Sequence, residues 1–139
     1  MRVMTIAVSM LVGSWVGISF AADASICNAG SNIAYYPTGK LKSCRLGDFF
    51  TVDGVVCNSF DMISFYELGT LRSCTSRDFY HYGPITCDEM GNISFYPSGK
   101  LESCLLSTKT QVQGKMCNEM QPISFFEDGR LRECATPAE

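Results

Sequence analysis

Histidine is almost missing from this chain: among 139 residues there is one, His81. A histidine general base or a Ser/His/Asp triad therefore has a single candidate, in a slot that sister segments fill with Thr51 and Gln111. Such a residue reads as a solvated substitution. Closely paired cysteines are missing too. The eight cysteines never approach nearer than 13 residues in sequence, whereas zinc sites and thioredoxin-like chemistry use Cys-x-x-Cys spacing. Neither a metal nor any other cofactor is expected. A cationic excess is also lacking, with 11 Lys plus Arg against 14 Asp plus Glu and a net charge of −3. Phosphate neutralisation demands a basic face, so this balance argues against nucleic acid as a partner. Finally, no sustained 3.6-residue apolar period follows the N-terminal stretch, and helix is not expected there.

That N-terminal stretch is the one long apolar run. Met1-Arg2 is followed by uncharged residues from Met4 to Phe20, then by the small residues Ala21, Ala22 and Ala24. This is the layout of a cleaved secretory signal, expected over residues 1–22. A retained membrane anchor is the alternative, since the run is just long enough to span. Small residues close it and no basic cluster follows, so no transmembrane segment is expected after processing. All eight cysteines lie beyond it, which in a short exported chain reads as a disulfide scaffold in the periplasm or outside the cell.

What the rest of the chain has in abundance is repetition. Ile93-Ser-Phe-Tyr-Pro-Ser-Gly-Lys-Leu-Glu-Ser-Cys104 recurs at Ile33, Ile63 and Ile123 with an offset of 30 residues and no insertion. Residues 23–139 therefore form a single repeat domain with units 27–56, 57–86, 87–116 and a truncated 117–139. The slot glycines Gly39, Gly69, Gly99 and Gly129 predict a bulged hairpin loop in each unit, with Pro97 pre-setting its first corner. Strand alternation then puts Ile93, Phe95, Leu101 and Leu105 on one face, and Ser94, Tyr96, Glu102, Cys104 and Leu106 on the other. Leu101 to Ser107 is expected as one strand, turning near Thr108–Gln111 and returning through Val112–Met116. The fold class expected is all-β: an elongated antiparallel meander with two long strands per unit, braced by disulfides. A three-faced β-solenoid is the alternative.

Two repeat-symmetric disulfide patterns are open. Pairing within units (Cys27–Cys44, Cys57–Cys74, Cys87–Cys104, Cys117–Cys134) uses every thiol and is preferred. Pairing across unit boundaries would let Cys104 face Cys117, but strands Cys27 and Cys134.

The segment Phe95-Tyr-Pro-Ser-Gly-Lys-Leu-Glu-Ser103 resembles the MORN-variant repeat, in the form found in bacterial YwqK-type repeat proteins. The resemblance covers about half of each unit, although these units are longer and add two cysteines each. It implies an elongated antiparallel sheet with two strands per repeat.

Two ladders are the candidate binding surface. Tyr36, Tyr66, Tyr96 and Phe126 place one ring per unit on one face, either as a cross-strand brace or as a platform for a partner. Lys40, Lys100 and Arg130 follow the turn glycine, and Lys42, Arg72 and Arg132 stand two residues on. They either blunt a sheet edge or meet an anionic ligand. Asp48 and Asp78 recur but Thr108 replaces them, so an enzyme reading rests on His81 with one of those carboxylates. The chain is read as no enzyme. It is expected to be an exported module binding a protein or envelope component. The alternative, which rests on the resemblance and the small acidic chain, is a periplasmic inhibitor or immunity protein acting on a toxin or enzyme.

Overall fold

The computed structural model describes residues 22–138, so the expected signal, apart from Ala22, lies outside the described residues. A short 3-10 turn, Ala24–Ile26, precedes fourteen strands. Eight of them form one antiparallel sheet: β1 (Ala34–Tyr35), β2 (Leu41–Arg45), β5 (Met62–Phe65), β6 (Leu71–Thr75), β9 (Asn92–Phe95), β10 (Leu101–Leu105), β13 (Pro122–Phe125) and β14 (Leu131–Cys134). They lie side by side in that order, two per unit, as an open meander. The other six make three separate hairpins, β3–β4 (Phe50–Val52, Val55–Cys57), β7–β8 (Tyr80–Tyr82, Ile85–Cys87) and β11–β12 (Thr110–Val112, Lys115–Cys117).

The sheet hairpins close as their glycines predict. Gly99 stands at φ 84° and donates its N–H to the carbonyl of Tyr96 at 2.9 Å, while the Tyr96 N–H reaches the carbonyl of Lys100 at 2.9 Å. That is a type I turn followed by a left-handed residue, the geometry of a three-residue loop.

The long return strand expected from Val112 is corrected. The chain instead turns back at Gln113-Gly114, and at Asp53-Gly54 in the first unit, with all four residues at positive φ. Two consecutive left-handed residues make the tight turn whose twist matches paired strands, and Asp-Gly is its strongest sequence signal. Gly83, at φ 54°, opens the middle copy. Each hairpin is thus an insertion between two sheet strands.

The face assignment is also corrected. Leu101 pairs with Phe95 but Ser103 pairs with Ser94, which leaves Glu102 as an unpaired bulge residue. The same slip occurs at Lys42, Arg72 and Arg132. A bulge reverses the alternation downstream. Leu101, Cys104 and Leu106 consequently share the buried face with Ile93 and Phe95, while Leu105 is only partly buried.

The core lies between the inner face of the sheet and the hairpins laid on it. Ile63, Phe65, Leu71, Ile93, Phe95, Leu101, Ile123 and Phe125 meet Val55, Ile85 and Val112 there. Tyr80 sets its ring edge-on to Phe95 with centroids 5.6 Å apart, and Tyr82 lies 6.0 Å from Phe125. Ser76 replaces the leucine of Leu46 and Leu106 in this core and donates its hydroxyl to the Asp78 carbonyl at 2.5 Å.

All four disulfides close within units: Cys27–Cys44, Cys57–Cys74, Cys87–Cys104 and Cys117–Cys134, with Cα–Cα separations of 5.5–5.8 Å. Cys57, Cys87 and Cys117 each end a hairpin, and their partners lie in β6, β10 and β14. Each of these bridges therefore sews a hairpin to the next pair of sheet strands. Cys104 does not face Cys117. The bulge turns it inward toward Cys87 instead.

Candidate binding surface

The outer face of the sheet carries no second layer among the described residues. Its central column is Tyr36, Tyr66, Tyr96 and Phe126, one ring per unit, each immediately before the first corner of a sheet-hairpin turn. The three tyrosine hydroxyls are not free. Tyr36 donates to the carbonyl of Phe65 at 2.7 Å, Tyr66 to that of Phe95 at 2.7 Å, and Tyr96 to that of Phe125 at 2.8 Å. Each bond crosses from one unit to the next, so the bracing reading of this ladder holds. The rings are nevertheless only partly buried, and Phe126 is exposed.

The bulge residues supply the charge. Lys42 holds its ammonium 5.6 Å from the Tyr36 ring centre, and the Arg72 guanidinium lies 5.8 Å from Tyr66. Arg130 and Arg132 stand 5.3 and 5.8 Å from Phe126. Cation–ring contacts at such exposed sites contribute about 0.5–1 kcal/mol each. The third unit departs, because Glu102 fills the cation's slot. Burial, chiefly, and then the Glu102 carboxylate push the Tyr66 hydroxyl above its ordinary pKa. Lys40 and Lys100 are exposed on the turns. Arg130 pairs with Asp128 at 2.6 Å, and hydrogen bonds from the Arg130 backbone and side chain hold that carboxyl below its usual range. Both partners are more than half exposed, at 73 and 52 %, so the pair adds little to stability.

His81 lies on the exposed side of β7 and meets Thr86 across the hairpin, Nδ1 to Oγ1 at 2.9 Å. Asp48 caps its neighbour's N–H through Oδ1 at 2.8 Å. No group of three or more His, Cys, Asp or Glu placed to hold a metal occurs among the described residues. No helix among them is long and apolar enough to cross a membrane.

One feature of the surface escaped the sequence reading. Phe60, Met90 and Met120 occupy the slot of Gly30, all at positive φ, and all are exposed. Bulky residues are uncommon in that backbone region. The signal was present in the alignment of units, where a glycine stands opposite three large apolar side chains. Phe79 and Met120 line a shallow hollow with His81, Thr86 and Ser107 on the hairpin side.

Comparisons of the chain with protein-family models, with curated proteins and with solved structures gave no match in any of the three. The four disulfides fit an oxidising compartment.

Proposed function

We propose that this chain is an exported, non-catalytic β-repeat module, periplasmic or secreted, whose outer sheet face binds a protein or a cell-envelope component. On this reading it is a disulfide-stabilised relative of the MORN-variant repeats. The observation that carries the proposal is the column of outward rings with stacked cations at Lys42, Arg72 and Arg132. Folding alone does not require those cations. The hydroxyl bonds already tie the units together, and a neutral residue would serve at the bulge. A flat, rigid row of rings with arginines has the composition of interface centres.

The test is cross-linking of the oxidised protein to extracts of its own cell envelope, with a Lys42→Glu/Arg72→Glu variant as comparison. The variant is expected to stay folded, with a melting temperature lowered by only the few degrees that two lost cation–ring contacts entail, and to lose about tenfold in affinity for the captured component. Undiminished capture would remove this face from the binding account. A single stoichiometric enzyme or toxin, inhibited on capture, would move the inhibitor reading to first place.

A further inference from the structure

The two ends of the sheet are built differently, and the difference specifies a partner. Phe65, Phe95 and Phe125 are 2–4 % exposed, whereas Tyr35 in the same slot of the first unit is 51 % exposed. Inside the array, a preceding hairpin covers this slot, as Tyr80 covers Phe95. No hairpin precedes Tyr35 among the described residues. The backbone tells the same story. Met62, Ile63 and Ser64 pair with β2, but the equivalent residues Asn32, Ile33 and Ala34 have no strand on their outer side among the described residues.

The C-terminal edge is closed to any further unit by its own residues. Glu133 stands in the slot of Ser43, Ser73 and Ser103, of which Ser73 meets the Ser64 hydroxyl and Ser103 the Ser94 hydroxyl at 2.7 Å inside the sheet. Phe126 replaces the tyrosine that would bond to a following unit. Lys115 is exposed where Val55 and Ile85 are buried. Five of the eight residues from Glu127 to Cys134 are charged, whereas none is charged from Cys27 to Gly39. Charged residues and bulges on an edge strand block pairing, and an uncharged edge with an aromatic side chain invites it. Head-to-tail stacking would place the Glu133 carboxylate opposite Ala34, which has no donor to offer it.

We infer that the N-terminal edge, Asn32–Tyr35, pairs antiparallel with the same edge of a second copy, giving a closed two-fold dimer with one continuous sheet. The edge carries no charge, so meeting itself raises no like-charge repulsion. A two-fold axis normal to the sheet gives the antiparallel sense used by every strand pair in the molecule. It brings the two Tyr35 rings to the same face, where each shields the other. Such a contact is isologous and stops at two copies. A contact of four edge residues per copy is small, and the dissociation constant expected for it is about micromolar or weaker.

Sedimentation equilibrium of the oxidised protein over a wide concentration range tests this, combined with hydrogen exchange at residues 32–35. The expected result is a monomer–dimer equilibrium in which these amides gain protection as concentration rises. Ala34→Lys is expected to weaken dimerisation at least tenfold, and Glu133→Lys at the opposite edge to leave it unchanged. Growth into chains longer than two overturns the inference, as does a dimer insensitive to Ala34→Lys or a monomer with exchanging edge amides at every concentration. A monomer whose edge amides are protected at all dilutions also overturns it, and shows that the chain's own N-terminal residues cover the edge.

Discussion

The eight-stranded sheet and the three hairpins on its inner face are drawn from the same 30-residue unit, yet they repeat to different standards. In the sheet, isoleucine fills its slot four times (Ile33, Ile63, Ile93, Ile123), and so does leucine (Leu41, Leu71, Leu101, Leu131). In the hairpins, Phe50 gives way to Tyr80 and Thr110, Val52 to Tyr82 in the middle copy alone, and Asp53-Gly54 to Gly83-Pro84 and Gln113-Gly114. The cause is the number of neighbours each region must satisfy. An interior sheet strand is hydrogen-bonded on both sides, so one side chain faces its own unit and the next at once. A hairpin strand pairs along its length with its mate, meets the next unit's chain only through a single bridge at its end (Cys57 with Ser76, Cys87 with Leu106), and packs on one face. Its register is held from outside, by the disulfide at its end and by Asp53 and Gln113, whose side chains accept the N–H of Leu71 and Leu131 at 2.9 Å.

The sharpest way to break this contrast is at the contact between the two regions. Phe95→Ala removes the ring that Tyr80 abuts and is expected to cost about 3–5 kcal/mol in chemical denaturation. His81→Ala, on the exposed side of the same hairpin, should stay within about 0.5 kcal/mol. Comparable losses from both would show that the hairpins are not a packed layer.

Cutting a single tether comes next. Cys87→Ser/Cys104→Ser is expected to lose about 3 kcal/mol, as for a closed loop of this length. Hydrogen exchange should show residues 80–87 opening ahead of the sheet strands, since the bridge joins one region to the other. Uniform loss of protection across both would mean they unfold as one.

The smallest effect belongs to the sheet's outer face. Tyr66→Phe deletes a hydroxyl-to-carbonyl bond between units, for about 1 kcal/mol. Because burial raises the Tyr66 pKa, its protonated form is the one the fold favours. That contribution is complete below the ordinary tyrosine value of about 10 and is lost as pH climbs through the raised folded value. An alkaline melting series should therefore fall less steeply for Tyr66→Phe than for the parent. Tyr80, raised chiefly by burial in the hairpin layer, adds to the loss in both proteins.

The parts of the fold legible in sequence are those fixed by local chemistry. The Pro97–Gly99 corner states its own turn, and counting the thiols makes pairing within units the preferred of two open patterns. The bulge was hidden because it falls on Lys42, Arg72, Glu102 and Arg132, ordinary residues with no backbone peculiarity. One extra residue there was enough to reverse the faces of Cys104, Leu105 and Leu106. The hairpin insertions were announced by Asp53-Gly54, but the Gly83-Pro84 copy blurred the signal. Of the candidate surface, the rings were identified from their spacing. That their hydroxyls are engaged was not, because the acceptors lie 29 residues away in the neighbouring unit.

Those hydroxyl bonds all run in one direction, from a unit to its successor, and the fourth ring, Phe126, has no hydroxyl to extend the series. The array thus has a grammar with a beginning, a repeatable middle and a full stop. A further copy of residues 87–116 spliced after Met116 would find a donor behind it, an acceptor ahead of it and cysteines already in phase. The same copy appended after Cys134 would meet a carboxylate and a ring without a hydroxyl. In a chain of this kind, length is free to change only from within.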